Sequence, residues 1–254
     1  MSSAIWTNWI AIRFTTAQSC ILPRAIEPRL APATTVWALA IPNPKSIASC
    51  VADLTNLNDL SGYSAILGGS FDPIHLGHLH IARQILELSP ISSVIFMPNN
   101  KHHFKSNTGR LPFEKRVLLM AKALQEMPNC ELWLDDACGT GYTDDLMRGI
   151  YAKHPSRRFC FVIGSDIAST LPNWHNYEWL KTNLSFLIIP RPGADLELLG
   201  LSELDYCILE TEPCPISSTR IRELIRLGES IRGLVSPTIE ADIYNYYREL
   251  YEAR

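Results

Sequence analysis

No stretch of this chain approaches the roughly 20 consecutive apolar residues that a helix needs to cross a bilayer. A surplus of one charge is also lacking. Lys and Arg number 23 against 26 Asp and Glu, a formal net charge of −3. Without clustered Lys and Arg, a nucleic-acid surface is not expected. The seven cysteines (Cys20, Cys50, Cys130, Cys138, Cys160, Cys207 and Cys214) contain no CxxC pair. Scattered and odd in number, they argue against a zinc site or a disulfide framework and read as reduced cytosolic thiols. Internal repeats and low-complexity tracts are absent as well. What is present is 254 residues at 46% hydrophobic content, enough to bury a full core in a cytoplasmic globular chain with no membrane partner.

Residues 1–62 differ in composition from the rest. Pro23, Pro28, Pro32, Pro42 and Pro44 break helices and forbid central strands. Through Cys50 the single acidic residue is Glu27, against Arg13, Arg24, Arg29 and Lys45, a transit-peptide-like bias. Three readings follow: an upstream start that does not reflect the working protein, which is favoured; a cleaved or disordered leader; or a folded accessory module. No methionine lies between Met1 and Met97, so a later start needs a non-standard codon. The expectation is a disordered or non-native extension over 1–62 ahead of a domain over 63–254.

From Tyr63 onward, apolar runs alternate with amphipathic stretches. Short runs over 94–97, 159–163 and 185–189 read as strands, two of them stopped by Pro98 and Pro190. Helical spacing appears over 113–126, 143–153, 217–227 and 238–251. The last is preceded by Ser236 as N-cap and Pro237 at the first helical position. Continuous apolar strands separated by helices predict an α/β fold: a Rossmann-like, doubly wound, mostly parallel sheet with helices on both faces. Ligands in such sheets bind beyond the carboxyl ends of the strands, where Gly69, Pro98 and Gly164 fall.

The most informative segment runs from Ile66 through Gly68, Gly69, Ser70, Phe71, Asp72, Pro73 and His75 to Gly77 and His78. An apolar run ends in a glycine pair, a proline turn follows, and two histidines stand at i and i+3. Ile81, Ile85 and Leu88 then continue at helical spacing. Glycine lets backbone N–H groups approach an anion closely, and two imidazoles beside them can donate to phosphate oxygens. A plain capping role for the histidines is the structural alternative. A metal pair lacks a third ligand at suitable spacing. The residues point to a nucleotide-phosphate site.

This segment resembles the GGSFDPxHxGH signature of the HxGH nucleotidyltransferase superfamily, and within it the bacterial nicotinate-nucleotide adenylyltransferase family. The resemblance extends, in order, through Pro98–Asn99–Asn100, Gly141–Tyr142–Thr143, Ile163–Gly164–Ser165–Asp166, Leu171–Pro172–Asn173–Trp174 and Arg191–Pro192–Gly193. It closes on Ile216–Ser217–Ser218–Thr219–Arg220–Ile221–Arg222. It implies that His75 and His78 hold the ATP phosphates and stabilise the transition state. Gly69, Ser70, Phe71, Gly164, Asp166, Ser217, Thr219 and Arg222 are then expected at ATP. Asn99, Lys105, Tyr142, Thr143, Trp174 and Arg191 are expected at the mononucleotide, with Trp174 stacking on the pyridine ring. Two departures are visible: Phe104 stands where the family has His, with His103 and Lys105 beside it, and Gly141 replaces the usual Ser.

The implied reaction is transfer of AMP from ATP to nicotinate mononucleotide with release of pyrophosphate. Mg2+ accompanies ATP, and the protein itself supplies no metal site. Homo-oligomerisation is left open. The same chemistry on nicotinamide mononucleotide or phosphopantetheine, or a non-catalytic nucleotide sensor, are the alternatives. An aminoacyl-tRNA synthetase is excluded by the lack of a KMSKS-like segment.

Overall fold

A computed structural model describes residues 56–100, 109–191 and 203–252. Its strands are β1 (Tyr63–Gly69), β2 (Ser93–Pro98), β3 (Cys130–Leu132), β4 (Arg158–Gly164), β5 (Ser185–Ile189) and β6 (Tyr206–Ile208). They form one sheet in the order β3-β2-β1-β4-β5-β6. Every pairing in it is parallel. The helices are α1 (Leu76–Leu88), α2 (Phe113–Ala123), α3 (Thr143–Lys153), α4 (Ser165–Ala168), α5 (Tyr177–Asn183), α6 (Ser218–Arg226) and α7 (Glu240–Glu252).

The alternation of side chains along each strand divides the core in two. Ala65, Leu67, Val94, Phe96, Cys160, Val162, Leu187 and Ile189 pack on one face with α1, α2, α6 and α7. Ile66, Ile95, Met97, Phe159, Phe161, Ile163, Phe186 and Ile188 pack on the other with α3, α4 and α5. Burial on both faces explains the unbroken apolar runs, because each register of the pleat meets a helix layer.

The predicted strands and helices are present, with shifted ends. α2 stops at Ala123 rather than at 126, and α7 begins at Glu240 rather than at 238. Ser236 still accepts from the Thr238 N–H at 3.4 Å, but 237–239 form a turn ahead of the helix proper. β3 and β6, three residues each, and α5 were not foreseen. The packed structure also reaches back into the segment assigned to the extension. Leu57–Leu60 forms a 3-10 turn capped by Asn56, and Leu60 is fully buried in the first core layer. Residues 1–55 lie outside the described residues. Cys130, Cys160, Cys207 and Cys214 are free thiols, whereas Cys138 is disulfide-bonded and departs from the reduced set expected. Among the described residues no helix is long and apolar enough to cross a membrane.

β1 and β4 are neighbours, and the chain leaves them in opposite directions across the sheet. Their carboxyl ends therefore open a crevice at the topological switch point.

Candidate active site

The loop after β1 is built around a buried ring. Phe71 adopts a left-handed φ of 45°, a conformation that costs energy outside glycine. Its ring is buried between His78, 4.8 Å away edge to face, and Phe96 at 5.7 Å. Gly69 leaves room for it: a Cβ there would meet the Phe71 ring at 3.3 Å. After the cis Asp72–Pro73 bond, His75 occupies the N-cap of α1 with extended backbone, and His78 lies one turn in. Their rings stack at 3.7 Å and 27°. Gly77 between them is required by this stack, since a Cβ would come within 3.0 Å of the His75 ring and 3.2 Å of the Ile216 carbonyl.

The two imidazoles are neutral. Burial pushes His75 down to about 4, with the Arg191 guanidinium acting in the same direction. Burial, then His75, then Arg191 hold His78 well below its usual value. The His75 N–H donates to His78 Nδ1 at 3.3 Å, so the neutral His78 ring carries its proton on Nε2. It is a donor without being a cation. Among the described residues, Nδ1 of His75 is buried with no hydrogen-bond partner.

Across a cleft of about 660 Å³ stands the start of α6, with Ser217 and Ser218 in the wall facing His75, His78 and Arg191. Ser217 caps the helix by accepting from the Arg220 N–H at 3.2 Å. The Ser218 hydroxyl donates to the Pro73 carbonyl at 2.9 Å, tying the helix to the histidine loop. Arg222 donates to the Asp72 carbonyl at 2.7 Å and to the Thr219 hydroxyl at 3.2 Å. Arg220 turns instead to Glu223 at 3.8 Å. Behind the far wall, Gly164 opens the short α4, and Asp166 within it lies 3.7 Å from Arg191 Nε.

The residues expected at the mononucleotide divide. Asn99 extends β2 into the site, its N–H donating to the Gly69 carbonyl at 2.9 Å. Tyr142 and Thr143 open α3. Trp174 donates its indole N–H to the Thr170 hydroxyl at 3.2 Å and meets the Phe161 ring edge to face. Tyr142 and the Trp174 loop come together through His175, whose ring stacks on Tyr142 at 4.2 Å. Arg191 stands apart from this group and lines the cleft with the histidines. Lys105, with Phe104, lies outside the described residues.

Four supporting residues escaped the sequence reading. Asp72, buried, accepts at one oxygen from the Tyr247 hydroxyl at 2.8 Å and the Leu111 N–H at 2.9 Å. Arg116 is buried and donates to the carbonyls of Ser70, Asn99 and Leu111, bracing the ends of β1 and β2. Burial and Arg110 lower its pKa to about 10, which leaves it charged. Asp144 holds the Trp174 loop. Only Asp72 lay inside a recognisable motif; Tyr247, Arg116 and Asp144 carry no local signal.

A crevice at a switch point, with neutral donors on one wall and helix-start hydroxyls on the other, is how a nucleotidyltransferase receives a phosphate chain. Residues 66–224 accordingly match the cytidylyltransferase-like family model. The chain is 34% identical over 197 residues to a probable nicotinate-nucleotide adenylyltransferase of Geobacillus thermodenitrificans, covering 76% of this chain and 88% of that protein. A relative with the same description from Geobacter metallireducens is 31% identical over 214 residues, covering 73% and 99%. The chain belongs to the nicotinate-nucleotide adenylyltransferase family. Its fold is that of Plasmodium falciparum nicotinic acid mononucleotide adenylyltransferase complexed with NaAD, at a TM-score of 0.61 and 23% identity, over 73% of this chain and 97% of that one.

Proposed function

We propose that this enzyme transfers AMP from ATP to nicotinate mononucleotide, giving nicotinate adenine dinucleotide and pyrophosphate, in the cytoplasm. The observation that carries the reading is the stacked, neutral His75–His78 pair facing the hydroxyls at the start of α6. A phosphate oxygen of the mononucleotide attacks the α-phosphorus of ATP in line. The new P–O bond forms as the bond to the β-phosphate bridging oxygen breaks, and pyrophosphate departs with that electron pair. The nucleophile is already an anion, so no general base is needed. Positioning and charge stabilisation carry the catalysis.

In this reading the β- and γ-phosphates rest on Ser217, Thr219 and Arg222. His78, its Nε2 proton set by the backbone of His75, donates to the oxygens on which charge grows. Gly69, Ser70 and Phe71 shape the approach to the α-phosphate, while Gly164 and Asp166 border the nucleoside. Asn99, Tyr142, Thr143 and Trp174, with Lys105, receive the acceptor. Among the described residues no three His, Cys, Asp or Glu side chains gather to ligate a metal. A divalent ion such as Mg2+ would come with ATP and be held by its phosphate oxygens. It would supply neutralisation of the phosphate charge.

The test is pyrophosphate release with ATP and each acceptor. Fastest turnover is expected with nicotinate mononucleotide. Equal or faster turnover with nicotinamide mononucleotide would replace the acid reading with the amide one. Faster turnover with phosphopantetheine would overturn the acceptor assignment.

A further inference from the structure

An irregular strap joins the end of β6 to the start of α6. Its first end is fixed by the Leu209 N–H, which donates to the Ile188 carbonyl at 3.0 Å, and its far end by Ser218 on the Pro73 carbonyl. Little holds it between those points. No residue from 210 to 220 is buried. Pro213 and Pro215 have no N–H to give. Among the described residues, no backbone group of 210–216 pairs with another backbone group. Open space lies on both sides: residues 211–216 border the cleft that holds the histidines, and Pro213, Cys214 and Pro215 also border a second groove of about 270 Å³ against α1. An exposed segment flanked by cavities has low local stability. Yet this one delivers Ser217, Thr219 and Arg222 to the place read above for the β- and γ-phosphates.

Two side chains of α1 grip the strap at its middle. His80 and Gln84 stand one turn apart on the helix, and both reach Glu212. The Glu212 N–H donates to Gln84 Oε1 at 3.1 Å, and the Glu212 carbonyl accepts from His80 Nε2 at 3.0 Å. A carbonyl only accepts, so His80 carries its proton on Nε2 and needs no charge to do so. One residue thus has both backbone groups satisfied by side chains at i and i+4, as a neighbouring strand would satisfy them. These bonds are solvent-exposed, and each adds little to the stability of the whole fold. Their consequence is local. α1 has His75 as its N-cap and His78 in its first turn, so the clasp ties the phosphate-side wall to the helix that carries the histidines.

We propose that His80 and Gln84 are positioning residues for ATP: their clasp on Glu212 fixes the strap, and through it the start of α6, before the triphosphate arrives. This rests on the ATP reading given above. Neither side chain lines the cleft itself. Their effect runs through the fraction of molecules in which Ser217, Thr219 and Arg222 are already placed, and the apparent affinity for ATP falls with that fraction. Asn99, Tyr142, Thr143 and Trp174, read above at the acceptor, stand on other elements, so acceptor affinity lies outside the reach of the clasp.

The experiment measures KM for ATP and for nicotinate mononucleotide, with urea midpoints, in the wild-type chain, His80→Phe, Gln84→Met, His80→Gln and Gln84→Glu. Phe and Met keep the bulk and remove the donor or the acceptor; Gln and Glu keep an N–H or an oxygen at the same reach. KM for ATP is expected to rise roughly 3- to 10-fold in His80→Phe and in Gln84→Met, the span of one neutral hydrogen bond. KM for nicotinate mononucleotide and the urea midpoint should stay at their wild-type values. His80→Gln and Gln84→Glu should keep KM for ATP close to wild type. An unchanged KM for ATP in both His80→Phe and Gln84→Met overturns the proposal. So does a parallel rise for both substrates with a lower urea midpoint, which marks general loosening. A wild-type chain that releases no pyrophosphate from ATP with any acceptor overturns the parent reading instead.

Discussion

The proton on His78 is placed by a backbone contact. Because His75 N–H occupies Nδ1, Nε2 is the donor in the neutral ring, and the donor is in position before ATP arrives. Such a preorganised group acts mainly where charge develops, in the transition state. His78→Ala is therefore expected to lower kcat about 100- to 1000-fold with a much smaller rise in the KM for ATP. A steady-state series in ATP separates the two, and a change confined to KM would assign His78 to ground-state binding. The histidine pair and the glycine between them are legible in the sequence, because their spacing of three is itself the turn of helix that stacks them. Asp144 and His175 are 31 positions apart; each directly follows a segment that the sequence marks, Thr143 and Trp174, but the pairing between them has no local pattern.

At the scale of elements, α7 acts on the site from outside the segment that matches the family model. Tyr247, fully buried in α7, donates to Asp72 from 175 positions away. Burial, and then the charge of Asp72, push the phenol pKa well up, so it remains a donor. Asp72 in turn sits beside Arg222, whose guanidinium holds the Asp72 carbonyl. Tyr247→Phe removes one partner of a buried carboxylate without removing the ring. It is expected to cost about 1–3 kcal/mol of stability, read as a lower urea midpoint. An unchanged midpoint would mean that Leu111 and Arg222 satisfy Asp72 unaided. Helix positions followed from periodicity, but their ends did not. β3 and β6 are too short to show a pattern of their own, and they exist because β2 and β5 offer edges to pair with.

For the molecule as a whole, the buried imidazoles set an acid limit. An unfolded His takes up a proton near its ordinary value of 6.5, whereas His75 in the fold does so near 4, and His78 is shifted in the same direction. Between these values the unfolded chain binds more protons, so stability falls as pH drops from about 6.5 toward 4. The His75 share of that loss approaches about 3 kcal/mol. Urea midpoints at pH 7 and pH 4.5 should show the fall, and His75→Asn should make it shallower. An equal slope in the variant would place the acid limit elsewhere.

Hydrophobic periodicity, the proline stops and the glycine–histidine motif determined a two-faced parallel sheet with a phosphate site at its carboxyl edge, because each is a local pattern that the pleat or the helical turn converts directly into geometry. The tertiary structure alone decided which residues brace that site. Arg191 joins the histidines, Arg116 clamps three carbonyls and Tyr247 supports the motif's Asp72, while Leu60 extends the packed structure back before β1. These depend on which strand ends become neighbours, and in a sheet ordered β3-β2-β1-β4-β5-β6 neighbours come from distant parts of the chain. Burial then decided the charge of the two imidazoles, since desolvation exists only once the layers have closed over them.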